Sequence, residues 1–459
     1  MYPDTGQKKK AQNAEAGLTG ETRCIMMKAE NRTKRARKQR GEMRMEQKGK
    51  RWTCAITEDA RKIIDAAIDA VLPDAAVRSV LEERTFSSPV TLIALGKAAW
   101  RMADAAYRTL GEKQVKQGIV LTKYGHCEGA IGCLELYEAG HPVPDENGVR
   151  ASARVMEMAQ ALGAEDEVVL LISGGGSALF ECPAPGVTLE DIADVTAQLL
   201  ACGADIREIN CIRKRLSAVK GGRLALAIAP ARTFAVVLSD VLGDPLDVIA
   251  SGPAYPDSTT CAQAQAIAAR YGLRLSAQAR EALALETPKL LPGVQTVIAG
   301  NVHRLCHAAA QEARRLGYPP RIMDEALECE ARDASGMLAR HAREAQGPCA
   351  LIWGGETVVH LRGNGKGGRS QEAALGAAQG IAGLSDVCVF AVGSDGTDGP
   401  TDAAGGMVTG DFCERAGKLQ IEAHLENNDA YPLLAEMGAL IVTGPTGTNV
   451  NDLYVVIKR

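Results

Sequence analysis

Three short stretches of the chain combine glycine with side chains that can hold or move a phosphoryl group. They are Gly354-Gly355-Glu356-Thr357, the run from Gly363 to Glu372 with Arg369 inside it, and the segment from Gly393 to Asp402 with Asp395 and Asp398. Apolar segments lead into the first (Cys349 to Trp353) and the third (Val387 to Val392). A strand that empties into glycines lets backbone N–H groups surround an anion. With an arginine, a lysine and three aspartates among them, the loops suit a phosphorylated ligand and a divalent metal. One Gly cluster alone is equally well a tight turn. Three together are poorly explained that way.

Ser173-Gly-Gly-Gly-Ser177 repeats the pattern after the apolar run Val168 to Ile172. It matches neither the P-loop nor the dinucleotide G-x-G-x-x-G motif. Lys97, Lys220 and Arg369 each stand at a Gly-rich helix start. There the macrodipole disfavours a cation by about 0.3–1 kcal/mol, a sign that a bound anion reverses. Phosphoryl transfer uses such cations on non-bridging oxygens. Asp240 and Asp244 follow one strand, and Asp395, Asp398 and Asp402 another. Magnesium takes one or two carboxylates plus phosphate oxygens, and one aspartate can accept a substrate proton. For Asp398, which precedes Gly399, turn formation is the alternative. His303 and His307 stand at i, i+4, but without the Glu of a metalloprotease motif, and a helix surface accounts for them.

The elements that must position these residues alternate between strand and helix patterns from about residue 55. Short apolar runs (Val90 to Leu95, Gly118 to Leu121, Phe234 to Leu238, Thr296 to Ala299, Leu453 to Ile457) separate amphipathic stretches. That alternation predicts an α/β fold with a mostly parallel sheet. The opening helix is expected to stop at Pro73, and Thr188-Leu-Glu-Asp191 to cap another. Polar helices and prolines from Gly272 to Gly293 suggest a domain boundary. The expected division is a basic extension over 1–50, an N-terminal Rossmann-like domain over 51–290 and a C-terminal domain over 291–459.

Residues 1–50 hold fourteen Lys or Arg against six Asp or Glu, a net +8 in a chain of net −4. Such a segment is expected to be disordered. It carries no module that reads nucleic acid specifically. Thirteen scattered cysteines without a C-x-x-C pair suit reduced thiols in a cytoplasm, and no run of eighteen apolar residues suggests a membrane span.

Ile172 to Leu179, Leu216 to Ala225 and Leu238 to Pro245 resemble the N-terminal domain of glycerate 2-kinases. Gly393 to Asp402 and Thr443-Gly-Pro-Thr-Gly-Thr-Asn-Val-Asn-Asp452 resemble that family's MOFRL domain, here about 347–457. The resemblance covers residues 55 to 457. It implies phosphorylation of D-glycerate at its 2-hydroxyl by ATP with Mg2+, in a cleft between two α/β domains. Taken with the loops above, it makes Lys97, Arg369 and Asp395 the catalytic set. Ser173, Gly174, Gly175, Gly176, Ser177 and Lys220 would bind phosphate, His141 would line the glycerate pocket, and Asp240, Asp244 and Asp398 would hold metal. Partners are then small molecules alone, with a homodimer left open. Some members carry the label hydroxypyruvate reductase, the alternative reading, but the nicotinamide fingerprint it needs is absent.

Overall fold

Val90 to Leu95 is buried along its whole length. A run covered on both faces belongs inside a parallel sheet, and it lies there in the computed structural model, which describes residues 55–459. The first sheet comprises β1 (Val90–Leu95), β2 (Val115–Lys123), β3 (Leu134–Ala139), β4 (Glu167–Ile172), β5 (Arg232–Leu238) and β6 (Val294–Gly300). Their order is β3-β2-β1-β4-β5-β6, and every pairing is parallel. This is the doubly wound Rossmann-type order, whose direction reverses between β1 and β4. Alternate side chains feed two cores. Ile93, Leu95 and Leu170 meet the helix Glu146–Gln160, while Leu92, Ala94 and Val169 meet the helices Pro73–Leu81 and Ala99–Leu110.

The second sheet comprises β7 (Pro320–Leu327), β8 (Cys349–Gly355), β9 (Val387–Gly393), β10 (Gly405–Thr409), β11 (Leu440–Ile441) and β12 (Asp452–Lys458), in the order β11-β10-β9-β12-β8-β7. Only β7 and β8 run parallel. The expectation of a mostly parallel sheet thus holds for the first sheet and fails for the second, where β12 returns between β8 and β9. Helices cover both faces, Arg369–Gly380 and Ala331–Glu344 on one and Val302–Arg315 on the other.

The chain leaves the first sheet only after Gly300, so the division expected at 290 falls ahead of β6, which pairs with β5. The opening helix Ala55–Asp69 packs on the second sheet, where Ile56, Ile63 and Ile64 share a core with Ile352, Phe390 and Val455. Pro73 stops no helix; it opens the next one at the first helical position, where its missing N–H costs nothing. Four helices, Leu189–Ala201, Ile206–Leu216, Cys261–Arg270 and Ala277–Leu283, share a satellite core, and Thr188 caps the first through a reciprocal capping box. Among the described residues no helix is long and apolar enough to cross a membrane. The basic extension lies outside the described residues.

Candidate functional site

The turns after β1 and β4, at the point where strand order reverses, are locked together. Lys97 N–H donates to Gly174 O (2.9 Å), Ser173 N–H to Leu95 O (3.0 Å) and Ala98 N–H to Ser173 Oγ (3.1 Å). Gly96 sits at φ +120°, and a Cβ there would lie 2.3 Å from Ser173 Oγ, so this approach requires glycine. A Cβ on Gly175 would meet Lys97 Cγ at 2.7 Å and His141 Cδ2 at 3.2 Å, which puts both side chains over the turn. His126 Nδ1 lies 3.1 Å from Lys97 O. Burial, with Lys97, Lys123 and His126 nearby, pulls the His141 imidazole down to about 4. It is neutral at neutral pH. On the other side, a Cβ on Gly174 would meet Asp240 Oδ2 at 2.1 Å, and burial raises the Asp240 carboxyl against the pull of Lys97. Gly176 backs onto Ala250, Ser177 Oγ lies 2.8 Å from Ser251 Oγ, and the turn runs into a single helical turn, Gly176–Leu179.

A cavity of about 1290 Å3 adjoins Asp240. Its wall takes Asp240, Val241 and Leu242 from the loop after β5, and Glu356, Arg369 and Asp395 from loops of the second sheet. Lys97 and His141 are not part of this wall; Asp240 links it to their turn. Arg369, the first residue of its helix, is gripped by carboxylates. Nε and Nη2 donate to Asp452 Oδ2 and Oδ1 (2.6 and 3.0 Å), and Nη1 to Glu356 Oε1 (2.5 Å). Burial lifts the Asp452 carboxyl to about 6 despite Arg369. Burial opposes the charge on Arg369 too, but its bonds to Asp452 outweigh that and hold its pKa above the ordinary range. Both groups are therefore charged at pH 7. Tyr454 OH adds a bond to Asp452 Oδ2 (3.1 Å). Asn451 Nδ2 joins the two sheets, donating to Asp240 O (3.0 Å) and Glu356 Oε2 (3.2 Å). Asp395 Oδ1 accepts Thr397 N–H (2.9 Å).

Three residues expected to bind metal or phosphate have partners inside the protein. Asp398 uses both oxygens on the helix Arg369–Gly380, accepting Ser370 N–H (3.2 Å) and Gln371 N–H (2.8 Å) where Gly368 offers no side chain. It caps the helix while standing on the cavity wall. Asp244 lies off the cavity wall and accepts from Asn301 Nδ2 (2.5 Å), leaving Oδ1 buried without a partner. Lys220 turns into the core, where Nζ contacts Phe180 O and Glu181 Oε2, both at 2.8 Å. Burial lowers its pKa to about 8. It serves an internal ion pair with Glu181. Glu356, Asn451 and Asp452 were missed as individuals, although all lie in stretches marked by their glycines. Nothing in local spacing pairs Arg369 with a carboxylate 83 residues away.

Two family profiles match the chain: a domain of unknown function (DUF4147) over residues 59–284 and the MOFRL family over residues 349–452. A Thermotoga maritima protein named D-glycerate 2-kinase is 49% identical over 405 residues, covering 86% of this chain and 97% of its own. The crystal structure of a T. maritima glycerate kinase matches with a TM-score of 0.85 at 49% identity, over 88% of this chain and 99% of that one. An Agrobacterium vitis protein with a provisional hydroxypyruvate reductase name is 41% identical over 413 residues, 86% of this chain and 93% of its own.

Proposed function

Because the chain belongs to the D-glycerate 2-kinase family, we propose that it transfers the γ-phosphoryl group of ATP to the 2-hydroxyl of D-glycerate. The products are 2-phospho-D-glycerate and ADP. One observation carries the reading within this chain. Arg369 from the second sheet and Asp240 from the first share one cavity wall, and Asp240 touches the turn that Lys97 covers. Ligands of doubly wound sheets sit at this reversal of strand order.

The cavity between the sheets is the active site in this reading. Lys97 and Arg369 stabilise charge on the equatorial oxygens of the moving group. Asp395 takes the 2-hydroxyl proton while that oxygen bonds to phosphorus and the bond to the ADP oxygen breaks. The Ser173–Ser177 turn faces the nucleotide phosphates. His141, held neutral, offers glycerate a hydrogen bond and no second positive charge. For Mg2+, Asp240 fits as a desolvated hard oxygen donor on the wall, while each oxygen of Asp398, on the same wall, already accepts one helix N–H. An ion held by Asp240 would supply positive charge to the nucleotide phosphates. The hydroxypyruvate reductase reading has a named relative behind it, but the first strand turn, Gly96-Lys97-Ala98-Ala99, lacks the nicotinamide fingerprint.

The test is turnover of D-glycerate with ATP and Mg2+, the product being offered to enolase without phosphoglycerate mutase. Signal without mutase is expected. Signal only with mutase would move the phosphate to the 3-hydroxyl, and no ADP formation would overturn the kinase reading.

A further inference from the structure

Glu325, on β7 and outside the cavity wall, holds a buried carboxylate oxygen, Oε1, with no hydrogen-bond partner. Its other oxygen lies 2.9 Å from His303 Nδ1. His307 Nε2 approaches the orphaned Oε1 to 3.6 Å, too far for a hydrogen bond. The two histidines stand one turn apart on the helix Val302–Arg315, with ring centroids 4.1 Å apart. One ligand atom from each of the three residues lies within 4.8 Å of the others.

A tetrahedral zinc ion with bonds of about 2.0–2.1 Å sets neighbouring ligand atoms roughly 3.3–3.4 Å apart. The two imidazole–carboxylate distances, 2.9 Å to Oε2 and 3.6 Å to Oε1, fall on either side of that spacing, one histidine to each oxygen. A plain surface ion pair explains the first distance; Oε1 has no hydrogen bond and only the longer approach of His307. We propose that His303, His307 and Glu325 form a binding site for a zinc-class divalent ion, separate from the phosphoryl-transfer centre. Two imidazoles and one carboxylate suit zinc, whereas magnesium prefers oxygen alone. The imidazoles are 59% and 56% exposed, so an ion enters from solvent and keeps a water as fourth ligand. Cys306, between them in sequence, is fully buried in the helix's core face and is no ligand. Bound there, the ion would clip the helix that crosses between the sheets to β7, the edge strand of the second.

The full chain, stripped with chelator and kept in Mg2+ buffer, is titrated with Zn2+ by calorimetry and with Co2+ by visible absorption. One ion per chain is expected, with a cobalt spectrum free of the intense near-ultraviolet thiolate band. Zinc affinity should fall at least tenfold in His303→Ala, His307→Ala and Glu325→Gln, and stay unchanged in His360→Ala. Failure to bind stoichiometrically, a spectrum dominated by thiolate, or equal affinity in all four variants would overturn the site.

Discussion

Arg369 grips both oxygens of Asp452, and Asp452 is buried to 1% exposure. This fork fixes the guanidinium plane and turns Nη1 toward Glu356 on the cavity wall. If Arg369 stabilises the transition state as proposed, Arg369→Ala should cost about 10²–10³ in kcat, or about 2.7–4 kcal/mol, by analogy with a lost oxyanion donor. It also strands a buried carboxylate, a loss of about 3–5 kcal/mol of stability. Combining Arg369→Ala with Asp452→Asn should restore much of the stability in urea unfolding and none of the turnover. Recovered turnover in the double variant would reduce Arg369 to scaffolding.

Lys97 is half-buried over a glycine turn and anchors no core. Lys97→Ala is therefore expected to lower kcat by a factor on the order of 10² or more, with little change in Tm. Paired measurements of kcat and thermal unfolding decide this. Near-normal kcat in a folded variant would remove Lys97 from the chemistry.

Two of the three aspartates expected to hold metal, Asp240 and Asp398, should separate cleanly. Asp240→Asn should raise the Mg2+ concentration needed for half-maximal rate. Asp398→Ala should leave that concentration alone and cost about 1 kcal/mol, as a lost helix cap does. A Mg2+ titration and a denaturant curve for each variant are enough; a raised Mg2+ requirement in Asp398→Ala would return it to the metal.

His141 has a folded pKa near 4 against 6.5 for an unperturbed histidine. The native state thus excludes a proton that the unfolded chain binds. Stability from this group is complete above pH 6.5 and is lost as pH falls toward 4. Thermal melts of His141→Ala from pH 4 to 7 should show a shallower slope than the parent. The His141 ring signal in NMR should titrate near 4 and move upward when glycerate, an anion, binds; a free-protein value near 6.5 would contradict the burial argument.

Lys220 offers a contrast between core and site. Lys220→Met leaves Glu181 facing only Arg213, at 3.4 Å. Tm should drop, with KM for ATP unchanged in the folded fraction. A KM increase without loss of stability would restore the phosphate role expected from its position beside Gly221 and Gly222.

Strands such as β1, β4 and β5 were legible because runs buried on both faces contain little else than aliphatic residues. β3 and β10 were not: Leu134 to Ala139 alternates with charged residues, and β10 begins with two glycines. The glycine loops line the cavity, since backbone approach leaves a visible mark in composition. The direction of a side chain leaves none. Lys97 and Lys220 have the same local setting before a helix, yet one lies over a turn and the other enters the core. The opening helix likewise advertised its apolar stripe and gave no sign of which sheet would receive it.

That helix, Ala55–Asp69, has a consequence for how the protein is made. It leaves the ribosome first among the described elements, while β12, part of its docking surface, leaves last. At about 5–20 residues per second the interval is roughly 20–80 s. Throughout it the stripe of Ile56, Ile63, Ile64 and Ile68 has no finished partner, and the second sheet cannot close its core from its own contiguous sequence. A fragment beginning after Gly300 should therefore be sticky and poorly soluble, and a nascent chain stalled before β12 a natural client for chaperones. The two halves, though recognisable as separate sequence families, are completed together.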